Sequence, residues 1–194
     1  MRGIALVISG PAGVGKTTLF DRLLLNYKTI LNRVVRVTTR EPRDTERDGC
    51  DYIFVKRKDF LEQKKSDAFL EYAEIHGNWY GSYKKSIQEK FQNNFDVLLN
   101  IDVQGASTLK RLEENGSFLC DKFHSVFIMP SSLNDLKQRL IKRGQDTYEN
   151  IEKRIKTAET EIKLSQCFDQ IILSKSKDED YQKLNDFYLK HSKL

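Results

Sequence analysis

The residues with the clearest chemistry are Gly10-Pro11-Ala12-Gly13-Val14-Gly15-Lys16-Thr17, which match the pattern G-x-x-x-x-G-K-[ST]. In such a loop glycines let the backbone turn its N–H groups and a helix N-terminus onto phosphates, Lys16 adds a point charge, and the Thr17 hydroxyl can ligate Mg²⁺. A nucleoside triphosphate with Mg²⁺ is the expected ligand. Arg40, Arg43, Tyr52 and Tyr80 supply two guanidinium forks and two phenolic donors, a set suited to holding a phosphate dianion in one orientation. Arg139 and Arg143 stand four apart, on one face of a helix, and Arg154 returns from the next helix toward the same gap. By itself that cluster reads as a solvated face. Beside a phosphate loop it reads as a lid that neutralises charge on a transferred phosphoryl group. Asp102 follows a buried strand, where open α/β sheets place their ligands, and it can act there or cap the next helix.

Elements must position these groups. Residues 4–8 are continuously apolar, as expected of a strand buried on both faces of a parallel sheet, and the phosphate loop leads from them into a helical pattern over 18–25. Residues 97–101 and 126–128 repeat the arrangement, followed by helical patterns over 108–113 and 133–142, and 170–173 precede an amphipathic stretch over 181–189. The fold class is therefore α/β, a P-loop NTPase fold with a parallel sheet wrapped by helices. Residues 33–82 break the rhythm with half-exposed segments and a turn at His76-Gly77-Asn78, which reads as a small mixed sheet inserted between elements of the main one. Residues 139–154 join two helices through Gly144-Gln145-Asp146-Thr147, and Asp146 with Glu149 reads as a capping box opening the second. Both departures suit mobile, substrate-covering units.

The chain has 194 residues, 39% hydrophobic and 31% charged, enough for one compact domain beneath a solvated surface. It has no apolar run of about 18 residues, so a soluble, cytoplasmic protein without membrane association is expected. The net charge of +5 suits anionic partners, but Lys and Glu are mixed along the chain rather than gathered in a basic stripe, which argues against nucleic acid. Cys50, Cys120 and Cys167 are odd in number and widely spaced, as free thiols would be, and His76, His124 and His191 lack metal-ligand spacing. The loop alone does not say who receives a phosphoryl group: water, a protein or a small molecule. A GTPase would carry a guanine-reading Asn/Thr-Lys-x-Asp segment, which is absent, and a motor would need a longer chain, so a small-molecule acceptor is expected.

Further segments carry a resemblance. Thr38-Thr39-Arg40-Glu41-Pro42-Arg43, Glu46, Asp48-Gly49-Cys50-Asp51-Tyr52-Ile53-Phe54, Phe69-Leu70-Glu71-Tyr72-Ala73, Gly77-Asn78-Trp79-Tyr80-Gly81-Ser82, Ile101-Asp102-Val103-Gln104-Gly105-Ala106 and Phe127-Ile128-Met129-Pro130-Ser131 follow in order. With Leu136, Arg139-Leu140, Arg143-Gly144, Arg154 and Glu161 they resemble the guanylate kinase family across nearly the whole chain. The resemblance implies transfer of the γ-phosphoryl of MgATP to GMP, and to dGMP, in purine nucleotide metabolism and GMP recycling. It implies a core over 1–34, 89–138 and 157–194, a mixed α/β GMP-binding insertion over 35–88 and a helical lid over 139–156. Gly10 to Thr18 with Arg139 and Arg143 would bind ATP. Arg36, Arg40, Arg43, Tyr52, Glu71, Tyr80, Ser82, Asp102 and Arg154 would bind GMP, Thr17 would meet the metal, and Lys16, Arg40, Arg139, Arg143 and Arg154 would serve catalysis.

Glu71 has its own chemical reading: guanine presents N1–H and N2–H side by side, which one carboxylate accepts together, while adenine does not. On spacing alone an exposed charge on a strand fits equally. Three positions depart from the family pattern. Arg36 replaces a serine that donates to guanine O6, Asn100 replaces an acidic residue near the metal, and Ser174 replaces an asparagine near the donor base. Two other functions therefore stay open: another nucleoside monophosphate kinase, with Arg36 altering base choice, and a non-catalytic guanylate-kinase-like module that binds phosphopeptides. Monomer and homodimer are equally compatible with the sequence.

Overall fold

The computed structural model describes residues 3–75, 77–144 and 146–192. Five parallel strands form the main sheet: β1 (Ala5–Ser9), β2 (Leu31–Arg33), β7 (Asp96–Asn100), β8 (Phe123–Met129) and β9 (Gln170–Leu173), in the order β2-β7-β1-β8-β9. β1 is central and buried along its whole length. Its side chains alternate between two cores. Leu6 and Ile8 join Phe20, Leu23, Ile128 and Tyr188 on one face; Ala5 and Val7 join Ile87, Phe91, Leu99 and Phe127 on the other. Helices α1 (Lys16–Asn26) and α7 (Lys177–His191) cover the first face, and α3 (Lys84–Gln92) and α4 (Val103–Glu114) the second. This is the sheet wrapped by helices that the apolar runs imply.

A second, mixed sheet takes β3 (Arg36–Thr38), β4 (Tyr52–Phe54), β5 (Phe69–Ile75) and β6 (Asn78–Tyr83) in the order β4-β3-β6-β5. β3 and β4 run parallel; β3 with β6 and β5 with β6 run antiparallel. Its small core is aromatic: Phe60, from α2 (Arg57–Lys65), stacks on Phe69 with centroids 4.4 Å apart. The inserted mixed sheet read from residues 33–82 is thus present; of the turn expected at His76-Gly77-Asn78, His76 lies outside the described residues.

Helices α5 (Leu133–Arg143) and α6 (Tyr148–Lys163) form the pair expected around residues 139–154. The capping box is corrected. Thr147 is the N-cap of α6, its hydroxyl accepting from Asn150 N at 3.4 Å, because the Asp146 carboxylate is already taken by Arg154 Nη2 at 3.0 Å. Gln145 lies outside the described residues. α1 begins at Lys16, earlier than its pattern over 18–25 suggests, because the phosphate loop supplies its polar first turn, while α4 begins at Val103, where a cap by Asp102 puts it. His124 and His191 pack on each other and on Phe187, a packing role, and all three cysteines are exposed and free.

Candidate active site

The phosphate loop is shaped by close approach. Gly10 has φ of 138° and a Cβ there would stand 2.5 Å from the Ile128 carbonyl oxygen, so the turn after β1 needs glycine. Lys16 Nζ folds back across the loop, donating to the carbonyls of Gly10 (2.5 Å) and Pro11 (3.0 Å). Burial lowers its pKa to about 8, opposed by the negative charges of Glu161 and Asp102. Glu161, from α6, is raised to about 7 by burial, with Lys16 pulling it back down. Together they are a half-buried acid and base at the foot of the loop.

The opposite wall comes from the mixed sheet. Two threonines pin the strand end that carries Arg40: Trp79 N donates to Thr39 Oγ1 (2.9 Å), Thr38 Oγ1 donates to the Trp79 carbonyl (3.1 Å), and Arg40 N donates to Thr38 Oγ1 (3.2 Å). Arg40 Nη2 donates to both Glu46 oxygens at 2.8 Å, and Arg43 Nη1 lies 3.7 Å from the same carboxylate. Tyr52 and Tyr80 meet edge to face at 6.0 Å, with the Arg40 guanidinium 5.6 Å over the Tyr52 ring. Two cations, two phenols and one shared counter-ion thus converge.

Glu71 is buried rather than exposed, with no side-chain exposure at all. Its Oε1 accepts from Ser82 Oγ (2.6 Å) and Arg36 Nε (3.2 Å), and its Oε2 accepts from Arg36 Nη2 (3.1 Å). Burial pushes its pKa up while Arg36 and Ser82 pull it down. α4 closes the other side: a Cβ on Gly105 would stand 2.6 Å from Oε2. Asp102 caps α4 through Oδ1, accepting from Gln104 N (2.9 Å) and Gly105 N (3.1 Å), while Oδ2 is buried without a hydrogen-bond partner, 3.8 Å from Arg36 Nη2. The cap and the ligand-facing position are both occupied by this one residue.

Between the walls stand the helix-pair arginines. Arg139 Nη1 donates to the Val14 carbonyl (3.3 Å) and its Nη2 pairs with Asp135 (3.0 Å), while Arg154 is held by Asp146. Arg143 has its pKa lowered by partial desolvation and then by the charge of Arg43, with Asp146 opposing and Arg154 adding to the shift.

One cavity of about 560 Å³ brings most of the sequence-derived residues together. Gly10, Ala12, Gly13, Gly15, Lys16, Thr17, Thr18, Arg36, Arg40, Arg43, Tyr52, Tyr80, Asp102, Arg139, Arg143 and Arg154 all line it. Pro11 and Val14 are buried behind the loop, and Glu71 and Ser82 stand behind Arg36 rather than on the wall. Asn100, which the sequence places near the metal, lines the cavity too; Ile75, Asn78, Ile101, Thr157 and Glu161 also line it, and none of these five is among the sequence-derived site residues. For Glu161 a signal existed, since α6 repeats every 3.6 residues and carries Arg154, Thr157 and Glu161 along one side. A second cavity, about 390 Å³, opens beyond the loop between Val14, Thr18, Arg139 and Ser174 to Lys177.

A family model described as guanylate kinase matches residues 2–191. A guanylate kinase of Clostridioides difficile is 40% identical over 173 residues, 89% of this chain and 80% of that protein. One from Campylobacter jejuni is 36% identical over 98% of this chain and 90% of its own length. The crystal structure of guanylate kinase from Anaplasma phagocytophilum superposes with a TM-score of 0.78 at 29% identity, covering 100% of this chain and 88% of that one. Sequence and fold agree, and the chain belongs to the guanylate kinase family.

Proposed function

We propose that this chain transfers the γ-phosphoryl group of ATP to GMP, forming ADP and GDP, with the phosphates of the two nucleotides held end to end in the cavity of about 560 Å³. The observation that carries the reading is the opposition of two anion-binding walls across that cavity: the phosphate loop with Lys16 on one side, and Arg40, Arg43, Tyr52 and Tyr80 on the other. The loop N–H groups and Lys16 take the donor phosphates, and Lys16 exchanges its two carbonyl contacts for them. The two arginine forks and the phenols take the acceptor phosphate. Arg139, Arg143 and Arg154 stand between the walls, where negative charge spreads in the transition state; arginines so placed contribute about 10³–10⁵ in rate. Positioning and electrostatics supply the catalysis, with no dedicated base.

The domain roles follow. Residues 35–88 serve as the GMP-binding insertion, 139–156 as the lid, and the rest as the core. The second cavity, reaching Ser174, takes the donor base. The oxygen donors present fit Mg²⁺: the Thr17 hydroxyl lies on the wall, and Asp102 Oδ2 is a buried carboxylate oxygen without a hydrogen-bond partner. Held by these oxygens, Mg²⁺ would supply positive charge against the phosphates. The compartment is the cytoplasm, and dGMP serves as a second acceptor.

One panel tests the reading: MgATP with GMP, dGMP, AMP, UMP and dTMP in parallel, following ADP. Turnover confined to the guanine nucleotides is expected. Equal or greater turnover with AMP or a pyrimidine nucleotide would replace the reading with another nucleotide kinase, and none with any acceptor would point to a binding module.

A further inference from the structure

Guanine's N1–H and N2–H form a two-donor edge, and Glu71 is the carboxylate that could accept it. In this fold the edge is already taken. Arg36 Nε and Nη2 lie 3.2 and 3.1 Å from the two Glu71 oxygens, the same two-donor pattern a guanine would offer. Ser82 Oγ adds a third donor at 2.6 Å, and Gly105 closes the remaining side so tightly that a Cβ would stand 2.6 Å from Oε2. The Arg36 side chain is 7% exposed and that of Glu71 0%, and only Arg36 lines the cavity. Arg36 Nη1 makes no hydrogen bond among the described residues, and Asp102 Oδ2, 3.8 Å from Nη2, adds a second carboxylate that holds the guanidinium in place.

Resting on the kinase reading above, we propose that Arg36 meets the acceptor's base, that Glu71 is its buried counter-ion, and that the subsite reads the O6 and N7 acceptors of a 6-oxopurine without reading the 2-amino group. An arginine on O6 and N7 is the commonest specific contact to guanine. Hypoxanthine presents the same O6, N7 and N1–H and lacks only the 2-amino group. Adenine sets an amino donor against the arginine donors and is excluded. Arg36 is therefore the specificity-determining residue, and it shifts the acceptor class from guanine nucleotides to 6-oxopurine nucleotides.

The test compares kcat/KM for GMP and IMP with MgATP in the full chain. The expected ratio is about tenfold or less; a larger preference for GMP means Glu71 reads the 2-amino group and overturns the inference. In Arg36→Ser the carboxylate opens to the cavity, and the ratio should rise by about tenfold or more; an unchanged ratio overturns it. Should that variant fail to fold, the wild-type comparison decides alone. Calorimetric binding of GMP and IMP to the wild-type chain separates this inference from the one beneath it. Affinities within about tenfold without ADP formation would sink the kinase reading and keep the base reading, whereas tighter selection of GMP would sink the base reading whatever the turnover.

Discussion

Arg40 closes both of its Nη2 contacts on Glu46, at 2.8 Å to each carboxylate oxygen, and Arg43 N donates to Glu46 Oε2 at 2.9 Å. The pairing aims two cations at the cavity before any ligand arrives, and it makes an incoming phosphate compete with a carboxylate. One nitrogen serves both Glu46 oxygens, whereas two parallel bonds to a phosphate would need the whole planar fork of arginine. Arg40→Lys keeps the charge and loses the fork. KM for GMP should rise by about 10- to 100-fold, the scale of a charge-assisted bidentate contact, with the dissociation constant for ATP within about twofold. Parallel loss of ATP binding would show that Arg40 holds the fold rather than the acceptor.

Nucleotide binding should take up protons between pH 7 and 8. Lys16 has a pKa of about 8 and Glu161 of about 7, and the cations and acids facing them are Asp102 and Arg154. A polyphosphate beside them favours the protonated form of both, raising both values. ATP affinity is thus constant at low pH and falls as pH rises through 7 and 8. Calorimetry at pH 7.5 in buffers of different ionisation enthalpy should show net uptake, reduced in Glu161→Gln. Proton release, or no buffer dependence, would contradict this placement of Lys16 and Glu161.

Glu71→Gln should destabilise the fold by about 3–5 kcal/mol, because the buried Arg36 guanidinium loses its counter-ion. Neutralising both in Arg36→Gln/Glu71→Gln removes the stranded charge and should recover at least about half of that loss. Urea unfolding of the wild type, both single variants and the double variant measures the cycle. Simple additivity would mean the pair is not coupled.

His124 makes a pH-dependent contribution to stability. Burial, and then the adjacent His191, depress its pKa from 6.5 to about 4, with Asp169 opposing. The unfolded chain binds the proton more tightly, so stability is full above about pH 6.5 and is lost as pH falls through the folded value, by about 2–3 kcal/mol for this group. Thermal melts of His124→Asn should show a flatter decline between pH 6.5 and 4 than the wild type. Identical slopes would place the acid sensitivity elsewhere.

Asn100 lines the cavity at the C-terminal end of β7, next to the loop that carries Asp102. If Thr17 holds the metal as proposed, a carboxylate there would add a charged oxygen to the same wall, so Asn100→Asp should tighten Mn²⁺ binding to the ATP-loaded protein by about threefold or more, read by paramagnetic resonance. Equal or weaker binding would exclude Asn100 from the metal's surroundings.

The parts legible in the sequence are those encoded over short distances. A buried parallel strand followed by a glycine turn, a lysine and a helix is written within residues 4–26, and the structure places Lys16 where that pattern implies. Arg40, Arg43, Arg139, Arg143 and Arg154 were recognisable by type and spacing, and all reach one cavity. The partners of these groups were not legible. Asp146 read as a helix cap because its local pattern allows it, and the fold assigns it to Arg154 instead. Glu71 stood equally between an exposed charge and a base reader, and it is neither on the surface nor on the cavity wall, because Arg36, 35 residues away in the chain, crosses onto it from β3. Periodicity and turn chemistry act over a few residues and mark which groups exist and which face they take. Which cation meets which carboxylate is settled only when two strands distant in sequence pack side by side and burial forces every charge to find a partner.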